Sequence, residues 1–324
     1  MNTLADPILT TLAKADLDPA LAGFLAQAAA QGNPPLESLP PPVIRQIYRE
    51  QAEALGLPAP AIGKVEDSAC PGPAGLLPLR IYSPEGHDAA TPPPVLLFLH
   101  GGGFVMGDLE THDKVCRTLC HHAGMLVVAV DYRLAPEHPF PAAVDDAEAA
   151  LRWVLAHAAT LGGDANRIAV AGDSAGAQLA LVAARRVQAA NVRALGLIYP
   201  VAQHPDEPSA SYQENDGKFL TMGVMQWFMS SYLGGQATAL THPDYAVLKS
   251  GGFENLPATW VATMGHDPLR DEGHALAQRI ASAGVDVAHQ HYPGAIHACI
   301  HFTAVSPIGL TVMTDMAQWL RENV

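Results

Sequence analysis

The chain has 324 residues, enough for one or two domains with a large core, and its 49% hydrophobic and 15% charged residues describe a compact globule, not a disordered chain. A formal net charge of −14 with no cluster of Lys and Arg excludes a surface built for nucleic acid or anionic membrane. No apolar run approaches the roughly 20 residues of a transmembrane helix. The N-terminal stretch has no basic region ahead of an apolar core, and Cys70, Cys116, Cys120 and Cys299 are too scattered for a disulfide framework. A cytoplasmic, reducing location is therefore expected.

Residues 1–55 read as helices at 7–17, 19–30 and 42–55, separated by Pro, Gly and Asn punctuation. They precede the first strand candidates, so they are expected to be an appendage to the sheet. Strand candidates follow at 76–82 and 95–100, after which strands and helices alternate. Strands are expected at 125–130, 167–172, 194–200, 258–264 and 285–292. Helices are expected at 142–160, 177–190, 271–283 and 308–322. Short apolar strands alternating with helices imply a largely parallel, doubly wound sheet covered on both faces. Between 203 and 244 the rhythm breaks into a polar stretch and then a helical one carrying Met222, Met225, Trp227, Phe228 and Tyr232. An insertion after a strand's carboxyl end is where a lid would be carried.

The chemistry concentrates at Gly172-Asp173-Ser174-Ala175-Gly176, between an apolar strand and a run of helix formers. A strand that turns at once into a helix strains the residue at its tip, and small neighbours let the turn close. Ser174 is thereby read as a nucleophile, with the amide of Ala175 at a helix N-terminus that favours negative charge. His100-Gly101-Gly102-Gly103-Phe104 ends an earlier strand; its glycines would let backbone amides approach a developing oxyanion. Asp267, directly after the strand at 258–264, can accept from a histidine N–H. It could equally be a helix N-cap before Pro268, with Asp271 and Glu272 as alternative carboxylates. Among 15 histidines, His297 lies in the loop after the last strand and completes the order Ser, Asp, His. His301 is its competitor, four residues on, but Ala298 stands where a zinc-protease helix would place Glu. His289 and His291 read as one strand face, and Cys116 and Cys120 as one buried helix face.

These motifs, together with Asp131-Tyr-Arg-Leu-Ala-Pro-Glu-His138 and Gly294-Ala-Ile-His297, resemble those of the bacterial hormone-sensitive lipase-like esterases, family IV of the lipolytic enzymes. The resemblance runs from residue 100 to 297. It implies an α/β-hydrolase fold with a helical cap, built from residues 1–55 and an insertion at about 205–240 on a hydrolase domain spanning 56–324. It implies Ser174 as nucleophile, His297 as base, Asp267 as its partner, and the amides of Gly102, Gly103 and Ala175 as the oxyanion hole. Two positions depart from the family pattern: Ala177, where many members have Gly, and Ala298-Cys299, where Gly-Phe is common. The expected activity is hydrolysis of short- to medium-chain acyl esters, without metal or organic cofactor. An amidase or deacetylase with the same triad, and a non-catalytic ligand-binding module, are the alternatives. Strand 285–292 has no Pro or Lys and no later strand to cover it, so it is expected at an open sheet edge where a homodimer forms.

Overall fold

The computed structural model describes residues 8–9, 12–13, 15–86, 90–207 and 209–324. Its strands are β1 (Ile8–Leu9), β2 (Lys64–Gly72), β3 (Gly75–Ser83), β4 (Val95–Leu99), β5 (Leu126–Val130), β6 (Ile168–Asp173), β7 (Val192–Ile198), β8 (Ala258–His266) and β9 (Val287–Ile296). They form one sheet in the order β1-β9-β8-β7-β6-β4-β5-β3-β2. All pairings are parallel except β2 with β3 and β3 with β5. The helices are α1 (Pro19–Ala30), α2 (Pro41–Leu55), α3 (Asp113–Ala123), α4 (Ala142–His157), α5 (Ala175–Val187), α6 (Ala210–Asn215), α7 (Met222–Leu233), α8 (Arg270–Ser282) and α9 (Ile308–Asn323).

The central strands read as unbroken apolar runs because both faces are covered. Along β4, Val95, Leu97 and Leu99 join one core with Ala147 of α4, Ala180 of α5 and Leu276 of α8. Leu96 and Phe98 face the other way and join Leu119 of α3 with Val312 and Leu320 of α9. The two-residue period of a strand thus splits a single apolar segment between two layers of helix. Cys116 and Cys120 are both buried on α3, as their spacing suggested.

Two expectations need correction, and one strand is new. The polar, mostly exposed β2 has no apolar pattern to mark it, because its stability comes from pairing with β3. No helix spans 7–17: Ile8–Leu9 is a strand, and 15–17 are not helical, while 7, 10, 11 and 14 lie outside the described residues. The edge at β9 is not open. Ile8 and Leu9 pair parallel with Ala288 and His289, His291 Nε2 lies 3.1 Å from the Ala13 carbonyl oxygen, and Asp18 N–H donates to Gly294 O at 3.0 Å. A second copy could pair along β9 only after that segment is displaced. His289 and His291 do share a face, both within 2.9 Å of Thr263 Oγ1.

The long connection between β7 and β8 carries α6 and α7. Of these α7, with α2, borders a cavity of about 670 Å³ whose floor is the carboxyl end of the sheet.

Candidate active site

Ser174 follows β6 and begins the turn into α5 with φ 53° and ψ −118°, a backbone conformation that non-glycine residues adopt rarely and at a cost of about 1–3 kcal/mol. Hydrogen bonds over-determine it: its N–H donates to Ile198 O at 2.9 Å, and its carbonyl accepts from Ala177 at 3.1 Å and Val201 at 3.3 Å. The bracketing glycines are a steric necessity. A Cβ at Gly172 would lie 2.4 Å from backbone atoms of Gly176, and one at Gly176 would lie 2.0 Å from Leu99 O. Ala177, the departure from the family pattern, is accommodated fully buried.

His297, in the loop after β9, has its Nε2 3.0 Å from Ser174 Oγ and its Nδ1 2.8 Å from Asp267 Oδ2. A carboxylate only accepts, so Nδ1 carries the proton and Nε2 is left as the acceptor for the serine hydroxyl. Asp267, in the loop after β8, is wholly buried, and its other oxygen accepts from Leu269 N–H at 2.8 Å. The alternative carboxylates face elsewhere. Asp271 accepts from Ser211 N–H at 2.9 Å. Glu272 accepts from Ala202 N–H at 2.7 Å and from the Tyr212 hydroxyl. His301 is also set apart from the hydroxyl of Ser174; its Nε2 lies 3.0 Å from the Tyr48 hydroxyl.

The glycine loop after β4 passes beside Ser174 with φ 120° at Gly102 and 61° at Gly103. Neither position has room for a side chain, since a Cβ would lie 2.2 Å from Met106 O at Gly102 and 2.2 Å from the Phe228 ring at Gly103. Among the described residues, the amides of Gly102, Gly103 and Ala175 donate to no acceptor. They are left for a ligand atom in the cavity, which Gly102, Gly103, Ser174 and His297 all line.

Behind the loop is a network that the sequence did not announce. Asp173, nearly fully buried, accepts from Gly101 N–H at 2.8 Å and the Tyr199 hydroxyl at 3.2 Å, and its Oδ1 lies 3.1 Å from His112 Nε2. Burial alone would raise this carboxyl; His112, His301 and the Gly101 amide outweigh it and hold it at about 2. Burial, reinforced by His112, lowers His301 to about 3, so that ring is neutral. The ligand atoms of His112, Asp173 and His301 lie within 4.8 Å of one another, a spacing a cation could use. Protein groups already engage them, and what Asp173 visibly does is fix the Gly101 end of the glycine loop. Cys299 is buried against Met264 with its thiol pushed up by burial, the opposite of what a reactive thiolate needs.

Residues 96–301 match the family model for the alpha/beta hydrolase fold. Esterase LipI of Mycobacterium tuberculosis is 41% identical over 75% of this chain and 77% of its own. The chain belongs to the α/β-hydrolase family, among the hormone-sensitive lipase-like esterases. Ethyl acetate hydrolase of Pseudomonas putida is 34% identical to this esterase over 87% of the chain and 91% of its own length. The hyperthermophilic esterase of Pyrobaculum calidifontis superposes with a TM-score of 0.88 at 36% identity, covering 95% of this chain and 99% of that one. The esterase hydrolyses carboxylic esters. No helix among the described residues is long and apolar enough to cross a membrane.

Proposed function

We propose that the esterase works through an acyl-enzyme on Ser174. The supporting observation is the relay Asp267–His297–Ser174, with separations of 2.8 and 3.0 Å, opening onto a cavity beside three unoccupied amides. His297 Nε2 takes the hydroxyl proton as Ser174 Oγ attacks the ester carbonyl carbon. The carbonyl oxygen becomes an oxyanion that accepts from Gly102, Gly103 and Ala175 N–H. As the tetrahedral species collapses, the C–O bond to the alcohol breaks and imidazolium His297 returns its proton to the leaving oxygen. Water, deprotonated by the same nitrogen, then releases the acid. Asp267 keeps Nδ1–H pointed at itself and stabilises the imidazolium in both halves.

The preferred substrates are esters of short to medium acyl chains, a reading supported by the named activity of the Pseudomonas putida relative. Residues 1–55 and the insertion at about 205–240 act as the cap over the hydrolase domain of 56–324. A cytoplasmic location is supported by four cysteines that are all free thiols. A homodimer through β9 requires that Ile8–Leu9 leave the edge.

Turnover of 4-nitrophenyl acetate by the wild type and by Ser174→Ala tests the central reading. The variant is expected to lose on the order of 10⁴–10⁶ in kcat with its fold intact. Retention of more than a few per cent of activity in clean protein would refute Ser174 as the nucleophile.

A further inference from the structure

The cavity over Ser174 has an electrostatic asymmetry. Glu37, Asp173 and Asp216 line it, and no Lys or Arg does. Asp173 is turned away from the cavity towards Gly101 N–H, the Tyr199 hydroxyl and His112 Nε2. Glu37 and Asp216 have no ion pair among the described residues. The cations near the mouth are already engaged elsewhere: Arg45 with Glu137 at 2.6 Å, Arg49 with Asp108 at 2.5 Å, and Arg270 with Glu214 at 3.0 Å. Lys218, two residues from Asp216, has no ion pair among the described residues; its Nζ lies 2.9 Å from Asn215 Oδ1 and 3.0 Å from His266 Nδ1, outside the cavity lining.

The two carboxylates lie at the N-terminus of the same helix. Asp216 accepts from Met222 N–H, the first residue of α7, at 2.8 Å. Glu37 lies over the next residue, so closely that a Cβ on Gly223 would stand 2.5 Å from its Oε1. The N-terminus of a helix carries only about half a positive charge, so two carboxylates on it leave a net negative rim. A cavity with low-dielectric walls and charge of one sign focuses that field on whatever enters.

We infer, resting on the ester-hydrolase reading of the same site, that this rim sets charge selectivity. The cavity favours esters bearing a cationic ammonium group over uncharged isosteres, and rejects esters bearing a carboxylate. Glu37, the half-buried member of the pair, is the principal determinant, and Asp216, exposed, the second.

Acetylthiocholine and its uncharged isostere 3,3-dimethylbutyl thioacetate test this, with 3-(acetylthio)propanoate as the anionic member. All release a thiol that is read directly. The ratio of kcat/KM for the cationic to the neutral thioester, taken within one protein, is independent of how much of that protein is active. For the wild type at low salt it is expected at roughly threefold to tenfold, and to fall towards one in 0.5 M NaCl as screening grows. Glu37→Gln should lower it by about half or more, and Glu37→Gln with Asp216→Asn should bring it close to one. An equal ratio in wild type and double variant, or anionic turnover matching the cationic, would overturn the inference. Binding of the same pair to Ser174→Ala by calorimetry asks the question without turnover. Absent turnover with tighter cation binding would defeat the hydrolase reading and leave the selectivity standing; equal binding would defeat the selectivity.

Discussion

Replacing Asp267 by Asn is isosteric, and the structure dictates which way the new amide must face. Leu269 N–H donates to Asp267 Oδ1 at 2.8 Å, in a pocket where the side chain is wholly buried. The amide oxygen must stay there, or that buried donor faces an NH2 and loses its acceptor. The NH2 is then forced towards His297 Nδ1, 2.8 Å away. Two donors cannot share that line, so Nδ1 gives up its proton and the ring adopts the Nε2–H tautomer. That nitrogen, 3.0 Å from Ser174 Oγ, can no longer receive the hydroxyl proton. The expected loss in kcat is on the order of 10²–10⁴, up to about 5 kcal/mol of transition-state stabilisation, with little change in melting temperature. Asp271→Asn should cost far less, since its carboxylate serves Ser211 N–H on α6. Steady-state rates on 4-nitrophenyl acetate, with thermal melts of each variant, check both. An Asp267→Asn enzyme within tenfold of wild type, or a larger loss at Asp271, would show that the wrong carboxylate has been paired with His297.

Other perturbations follow from the same geometry. Gly176→Ala drives a Cβ to within 2.0 Å of Leu99 O, a backbone atom that cannot swing away, and should cost about 3 kcal/mol or more in a thermal scan. Gly23→Ala, where a Cβ meets nothing inside α1, should be neutral or stabilising by up to about 1 kcal/mol. Burial raises the Glu272 carboxyl from an ordinary value near 4.5 to about 8, against the pull of its hydrogen-bond donors. Between those values the folded protein holds a proton that the unfolded chain has lost. The stabilisation is therefore complete below about pH 4.5 and lost as pH rises through about 8, at about 1 kcal/mol per pH unit. Glu272→Gln should flatten that part of the melting profile, and an unchanged slope would discount the group. Sedimentation of the full chain beside one lacking residues 1–18 tests the sheet edge: a dimer confined to the shortened chain would identify β9 as the latent surface.

The parts of this site that could be read from sequence are those whose constraints are local. Gly172 and Gly176 are glycines because backbone atoms lie where a Cβ would be, and Ser174 is strained because a strand meets a helix there. Such demands are satisfied within a few residues and leave a fixed spelling. The three amides were inferred from that spelling and a family resemblance, and their hydrogen-bonding freedom appeared only with the fold. Long-range features left no such trace. Nothing local to the serine motif assigns Asp173 a partner, yet it joins Gly101, His112 and Tyr199 from three separate stretches of chain. Strand β2 has few apolar residues to announce it, and β1 exists only because β9 offers it an edge. The same tertiary effect turned an expected open edge into a covered one.

The buried polar contacts also constrain how an ester can enter. Glu272 sits at the start of α8 with Ala202 N–H and the Tyr212 hydroxyl as its donors, one just past β7 and one on α6. Nearby, Asn215 Nδ2 donates to Asp267 O at 3.1 Å. A lid movement that lifted α6 would strip the buried Glu272 carboxyl of a partner and pull on the loop that holds Asp267, at a cost of several kcal/mol. The carboxyl end of α7 is tied down as well: Tyr232 stacks on Phe104 of the glycine loop, and its carbonyl accepts from Phe140 N–H at 2.7 Å. The stretch that leads into α7 is tied to the same groups, since Lys218 Nζ lies 2.9 Å from Asn215 Oδ1 and 3.0 Å from His266 Nδ1, so an ester has to enter through a mouth whose walls stay in place. Glu37 and Asp216 line that mouth, so charge selectivity there needs no lid movement.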